Sequence, residues 1–299
     1  MADTSLQENR DTPQGLAFAV TAYVLWGFLP LYMKLVAHIP AIEVVAHRVI
    51  WSVPVAGILL VILRRTDDLF TALRSPKTLA LAALTASLIS INWAIYVYAI
   101  ATDRTVDGAL GYYINPLFSV LMGAILLRER PTRAQMVAIG LACLAVLVLF
   151  VTAARPPWIP ISLTVTWGFY AVCKKSLPIG PNQGFMLEVL ILSLLAVPYV
   201  AYLYATGQGH FMSGTGDTDL LLWAGVVTAV PLIIYANGAK LLRLSTIAIL
   251  QYIAPSMIFI LAVFVFGETI DTGRMIAFPL IWLALIIYTT SMIREMRKA

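Results

Sequence analysis

Long apolar stretches alternate with short polar connections along the whole chain. A helix needs about 20 apolar residues to cross the hydrocarbon core of a bilayer. Ten such runs are readable, at 14–36, 42–63, 78–101, 105–127, 132–153, 159–175, 183–205, 218–240, 244–266 and 271–293. The two longest connections, RRTDDLFTALRSPK and TGQGHFMSGTGDTD, are too small to be domains and are read as loops. The pattern predicts an all-α polytopic membrane protein with ten transmembrane helices.

Composition agrees with the pattern. Hydrophobic residues make up 61% of the chain and charged residues 12%, where a soluble domain carries about 25% charged residues. Mean hydropathy is +0.88. The polar, mixed-charge N-terminus MADTSLQENRDTPQ lacks the basic and apolar regions of a signal peptide. Cys143 and Cys173 fall in apolar runs without partner spacing and are expected to be free, buried thiols.

Charge in the loops predicts orientation. One side holds fifteen basic residues: Arg10, Arg64, Arg65, Arg74, Lys77, Arg128, Arg130, Arg133, Lys174, Lys175, Lys240, Arg243, Arg294, Arg297 and Lys298. The other side holds Arg104, Arg155 and Arg274, while Lys34 and Arg48 lie near the ends of the first two spans. The basic side is expected in the cytoplasm, with both termini. This topology signal explains the net charge of +5 better than nucleic-acid binding does.

The chain also repeats. At an offset of about 140 residues, Trp26–Phe28 meets Trp167–Phe169, Lys34 meets Lys175, and Tyr96 meets Tyr235. GYYINP (Gly111 to Pro116) meets LQYIAP (Leu250 to Pro255), and Glu129 meets Glu268. Glu43 meets Glu188 with a further shift of four residues. Each copy holds five spans, an odd number, so the second copy must be inverted in the membrane. Inverted repeats of this kind build many secondary transporters, with substrate held near the midplane between them. The expected organisation is a tail at 1–13, repeats at 14–153 and 159–293, and a basic C-terminus at 294–299.

The same residues carry a family resemblance. AYVLWGFLPLYMKLV with EVVAHRVIWS, GALGYYINPLFSVLMGAILLRER, STIAILQYIAPSMIFILAVFVFGE and AFPLIWLALIIY resemble the RarD branch of the EamA-type transporters. That family belongs to the drug/metabolite transporter superfamily, and the chain is also similar to YddG-type amino-acid exporters. The resemblance covers nearly everything after residue 14. It implies ten helices in two inverted repeats and export of small metabolites, amino acids among them.

Polar and aromatic residues inside the runs are the candidates for chemistry. Pro116 and Pro255 each remove a backbone hydrogen bond in mid-run and predict kinks, as does Pro30. Tyr112 and Asn115 share a helix face, Tyr113 adjoins them, and Gln251 and Tyr252 occupy the matching repeat positions. Trp26 and Trp167 lie mid-span beside small residues, and Asn92, Tyr96 and Tyr235 complete a set suited to an apolar ligand body. The competing reading is that these groups only hydrogen-bond helix to helix and hold the bundle together. As a set they are expected to approach one water-accessible space near mid-membrane.

Few charges remain inside the runs. Lys34, Glu43 and Arg48 are expected together at the outer ends of the first two spans, with His47 one turn after Glu43. Lys175 and Glu188 are expected together at the inner ends of the sixth and seventh. They read either as structural ion pairs or as alternating latches, with Glu43 and His47 as proton carriers.

Among function classes, no HExxH, GxSxG or Walker A pattern supports an enzyme or a direct use of ATP. No cofactor and no ATPase subunit are expected. The expected partners are membrane lipid and a small-molecule substrate, amino acids first, for a monomer or homodimer in the inner membrane. Export of drug-like compounds resembling chloramphenicol or nucleosides, and a non-transporting scaffold or sensor, remain the alternatives.

Overall fold

A computed structural model describes residues 12–64, 66–126, 132–152, 156–214, 216–239, 241–242, 246–247 and 250–296. Its helices are α1 (Pro13–Leu35), α2 (Ala41–Ile62), α3 (Thr66–Leu73), α4 (Pro76–Ala101), α5 (Thr105–Leu126) and α6 (Arg133–Thr152). There follow α7 (Trp158–Lys175), α8 (Pro181–Thr206), α9 (Asp217–Ala239), α10 (Ile253–Ile260, extended by a π turn at Leu261–Val265) and α11 (Thr272–Met296). Among the described residues seven helices are long and apolar enough to span a membrane: α1, α2, α4, α6, α8, and most of α9 and α11. Helices α5 and α7 occupy the fourth and sixth apolar runs, and α10 with its π turn part of the ninth. Helix α3 lies where the sequence suggested only a loop; it buries Leu69 and Ala72 and exposes Phe70 and Leu73.

Local chemistry sets the helix starts. Thr12 caps α1 by accepting from the Gly15 amide at 3.0 Å, and Ser75 caps α4 by accepting from Thr78 at 3.4 Å. Pro13, Pro76 and Pro181 occupy first turns, where a missing amide hydrogen costs nothing. Pro255 sits in the first turn of α10 after a turn at Gln251–Tyr252, so it opens a helix segment there, whereas Pro30 and Pro116 lie inside α1 and α5.

One end of the bundle can be traced by its contacts. The α5 N-terminus binds Glu268, Asp107 binds Arg274 at the start of α11, and Lys34 at the end of α1 binds Asp103 after α4. Glu43 at the start of α2 binds His210 after α8, and His38 binds Asp217 at the start of α9. Tyr98 near the end of α4 packs on Trp158 at the start of α7. At the opposite end, the start of α8 joins α3 through Gln183 and Asp68, at 3.0 Å.

The principal helix pairings are α6 with α11, α2 with α8 and α9, α1 with α9 and α10, α5 with α7 and α10, and α4 with α7 and α8. Exchanging α1 with α7, α2 with α8, α4 with α9, α5 with α10 and α6 with α11 turns this set into itself. Each exchanged pair points in opposite directions relative to the traced end. Glycine allows close helix crossings: a Cβ on Gly225 of α9 would enter Trp51 of α2, and one on Gly168 of α7 would enter the Phe118 ring of α5.

The perimeter is apolar, with Ile62, Val61, Val151, Leu194, Leu195 and Phe264 all largely exposed. Such a belt suits contact with lipid chains. Cys143 is exposed and Cys173 half-buried, which corrects the expectation of buried thiols. Arg10, Arg65, Arg128, Glu129, Arg130, Arg155, Lys240, Arg243, Arg297 and Lys298 lie outside the described residues, as does the side chain of Lys175.

Candidate functional site: Arg48 and a buried aromatic cluster

Arg48 was expected at the end of the second span; the structure places it inside the bundle. It lies seven residues into α2, about 10 Å along the helix axis, and is 3% exposed. Its side chain crosses to two other helices. Nε donates to Thr228 Oγ1 of α9 at 2.9 Å, and the guanidinium lies 4.6 Å from the centroid of Trp93 of α4. The Thr228 hydroxyl is oriented for this contact because it donates its own hydrogen to Ala224 O at 2.7 Å. Ser52 donates to the Arg48 carbonyl at 2.6 Å.

Tyr32, Tyr96 and Tyr112 lie within electrostatic range of the guanidinium. Beyond them the rings continue into the second half of the chain. Tyr96 meets Tyr112 at 5.4 Å, Tyr112 meets Trp167 at 6.3 Å, and Trp167 meets Tyr170 at 5.7 Å. Tyr112 donates to Asn92 Oδ1 at 3.3 Å, while Asn92 Nδ2 donates to Leu163 O and Thr166 Oγ1 of α7 at 3.0 and 2.9 Å. The polar ends of these residues therefore bridge α4, α5 and α7.

Among the described residues neutral groups alone answer the charge on Arg48. Removing an ion from water costs several kcal/mol even after relaxation. The Trp93 contact returns about 2 kcal/mol when desolvated, and a charged hydrogen bond about 1.5–3 kcal/mol. Among the described residues no carboxylate pairs with Arg48, and Nη1 and the Tyr96 hydroxyl have no hydrogen-bond partner. The site thus keeps a buried cation with donors to spare.

The sequence-predicted set falls into three groups. Asn92, Tyr96, Tyr112 and Trp167 join the Arg48 cluster. Trp26 and Tyr235 pack instead with Tyr23, at ring distances of 5.4–5.7 Å. Tyr113 stacks on Tyr252 at 6.5 Å, meets Phe278 at 6.1 Å and shares a 2.8 Å hydrogen bond with Ser256. Neighbours Tyr112 and Tyr113 face different helices because successive helical residues point about 100° apart. Asn115 is buried in α5, and Gln251 is half-buried in the turn before α10. Sequence reasoning missed Tyr32, Trp93 and Thr228; a lone hydroxyl in an apolar run, at Thr228, was the one available signal.

The expected Lys34–Glu43 pair is corrected. Lys34 bonds Asp103 and lies 5.3 Å from the Phe266 ring, so it does not pair with Glu43. Glu43, 1% exposed, accepts from the His210 amide at 2.7 Å and meets its ring Nδ1 at 2.8 Å. His47 accepts from Trp51 Nε1 at 3.1 Å and packs 4.9 Å from Phe211. Glu188, also 1% exposed, takes Lys174 at 2.7 Å and the Tyr170 hydroxyl at 3.3 Å, while the side chain of Lys175, its expected partner, lies outside the described residues. Glu268, noticed only as a repeat position, accepts the Thr105 and Val106 amides at 2.7 and 2.9 Å, which caps α5 and sits well with the helix dipole.

A cavity of about 680 Å³ opens elsewhere, between α3 and the α7–α8 connection, lined by Asp68, Thr71, Thr78 and Leu177 to Gly180; no residue of the Arg48 cluster lines it. Among the described residues no group of His, Cys, Asp and Glu is placed to hold a metal.

Apolar spanning helices around a buried polar centre suit a membrane-transport protein, and this chain belongs to the EamA-like transporter family, in its RarD group. The EamA-like family model matches residues 13–151. The chain is 41% identical to protein RarD of Streptomyces exfoliatus, covering 95% of this chain and 91% of that one. It is 35% identical to an uncharacterized transporter of Vibrio cholerae, covering 94% of each. A crystal structure with 18% sequence identity shares the fold, with a TM-score of 0.60 over 91% of this chain and 96% of that one.

Proposed function

We propose that this transporter exports small amphipathic metabolites, amino acids first among them, across the bacterial inner membrane by alternating access. The observation that carries the reading is the Asn92–Tyr112–Trp167 contact set, which draws α4 and α5 of one half and α7 of the other onto one buried centre. Aromatic faces suit the apolar body of a ligand, and the amide and hydroxyls suit its polar end.

The exchange symmetry of the helix pairings supports two inverted five-helix halves rocking about that centre. Glu43–His210 ties α2 of one half to the segment after α8 of the other and is positioned to hold that end shut. The loop charges support cytoplasmic termini. The cycle uses no cofactor and no ATPase subunit, in a monomer or homodimer.

Uptake by proteoliposomes of a labelled panel of amino acids, nucleosides and chloramphenicol tests the reading. Saturable uptake of amino acids supports it. Uptake confined to nucleosides or chloramphenicol replaces the substrate class, and none at all favours a scaffold or sensor.

A further inference from the structure

Buried acids in this bundle are answered by the protein itself. Glu43 has His210, Asp107 has Arg104 and Arg274, and Glu188 has Lys174. Arg48 is different. It is 3% exposed, and the groups facing it from α1, α4, α5 and α9 are the neutral Tyr32, Trp93, Tyr96, Tyr112 and Thr228. Its guanidinium is held on one edge by Thr228 and on one face by Trp93, while Nη1 is left over. The Tyr96 hydroxyl, on a residue also 3% exposed, is left over too.

We propose that Arg48 and Tyr96 form an anion subsite that takes the carboxylate of the transported metabolite. Trp93, Tyr112 and Trp167 then cover its apolar body. The proposal rests on the exporter reading and narrows it to carboxylate-bearing compounds. The donor set argues the class. A guanidinium N–H and a phenol O–H both donate, and a carboxylate oxygen accepts from both in charge-assisted bonds. One fixed cation neutralises one negative charge, which suits a monocarboxylate better than a phosphate dianion. An amine or neutral amide in the same place leaves the cation unanswered. A charge kept uncompensated in the empty protein is stability given up for binding.

The test measures thermal unfolding of the purified full chain with four ligands of similar shape: leucine, 4-methylpentanoate, leucinamide and isoamylamine. The first two carry a carboxylate and the last two do not. Wild type is expected to be stabilised by the carboxylates and not by the amide or amine. Arg48→Gln should abolish that stabilisation while leaving the unliganded midpoint equal to or above that of wild type, because an unpaired buried charge has gone. Tyr96→Phe should weaken carboxylate binding about tenfold with the fold intact.

Equal stabilisation by leucinamide and leucine would overturn the subsite, as would a carboxylate response that survives Arg48→Gln or absence of any carboxylate response in wild type. If Arg48→Gln fails to fold, Tyr96→Phe decides: unchanged carboxylate affinity there overturns the proposal. Counterflow of leucine in proteoliposomes separates the two levels. A carboxylate-selective midpoint shift without counterflow keeps the subsite and removes the exporter reading.

Discussion

Glu43 and His210 are joined twice, through the backbone amide at 2.7 Å and the ring nitrogen at 2.8 Å. The double contact ties the segment after α8 to the start of α2. Next to it Phe211 lies 4.9 Å from His47 and 5.9 Å from Trp51, so the segment covers that end of α2 with an aromatic cap.

Glu43→Ala should release this cap. A cysteine introduced by Phe211→Cys is expected to react slowly with a polar thiol reagent in the otherwise native chain. Adding Glu43→Ala should raise its labelling rate at least about tenfold, because local opening sets access. An unchanged rate would show that packing alone holds the segment.

Orientation has its own test. The orientation proposed from the loop charges puts Ser213 outside the cell and Thr71 inside. In intact spheroplasts an impermeant reagent should label Ser213→Cys and leave Thr71→Cys unlabelled; the reverse pattern would invert the topology.

At the other end, Lys174→Met should leave Glu188 with the Tyr170 hydroxyl as its one remaining partner among the described residues. Removing one member of a buried pair costs about 3–5 kcal/mol, so the unfolding midpoint should fall clearly. Adding Glu188→Gln should recover most of the loss. A midpoint that Lys174→Met leaves unmoved would show that the pair adds nothing.

Much of this arrangement was legible in the sequence, and the failures have definite causes. Apolar length located α2 and α8 within two residues of their ends, since only a helix satisfies its own backbone across such a run. The α3 helix escaped because its apolar face spans only two turns between charged residues. Lys34 and Glu43 looked paired because they are close in sequence, yet a connection reverses the chain between them and Glu43 faces the segment after α8. The repeat offset of 141 pointed to Lys175, whereas the described partner of Glu188 is Lys174, which a register of 140 selects. Asn92, Tyr96, Tyr112 and Trp167 were identifiable as polar or aromatic residues at mid-span. That they, and not Trp26 or Tyr235, reach Arg48 depends on helix rotation, which spacing alone does not fix.

The two tryptophans therefore separate by experiment. Trp167 touches Tyr112 in the Arg48 cluster, whereas Trp26 packs with Tyr23 and Tyr235. Trp167→Ala should lower transport of phenylalanine about tenfold and of alanine by no more than about threefold, since lost contact area scales with the ligand. Trp26→Ala should change both substrates alike. A size-graded amino-acid series measures the difference, and equal losses in the Trp167 variant would mean that its ring packs helices only.

Counterflow tests the account most directly. Proteoliposomes holding the purified chain are loaded with unlabelled leucine and diluted into a trace of labelled leucine. A carrier that alternates around one buried site must exchange the two, so the label should accumulate transiently above its equilibrium level and then decline, with no overshoot in liposomes lacking the protein. Label that merely rises to equilibrium at the same rate with or without internal leucine would identify an open pore, and label that never enters would contradict transport of this substrate altogether.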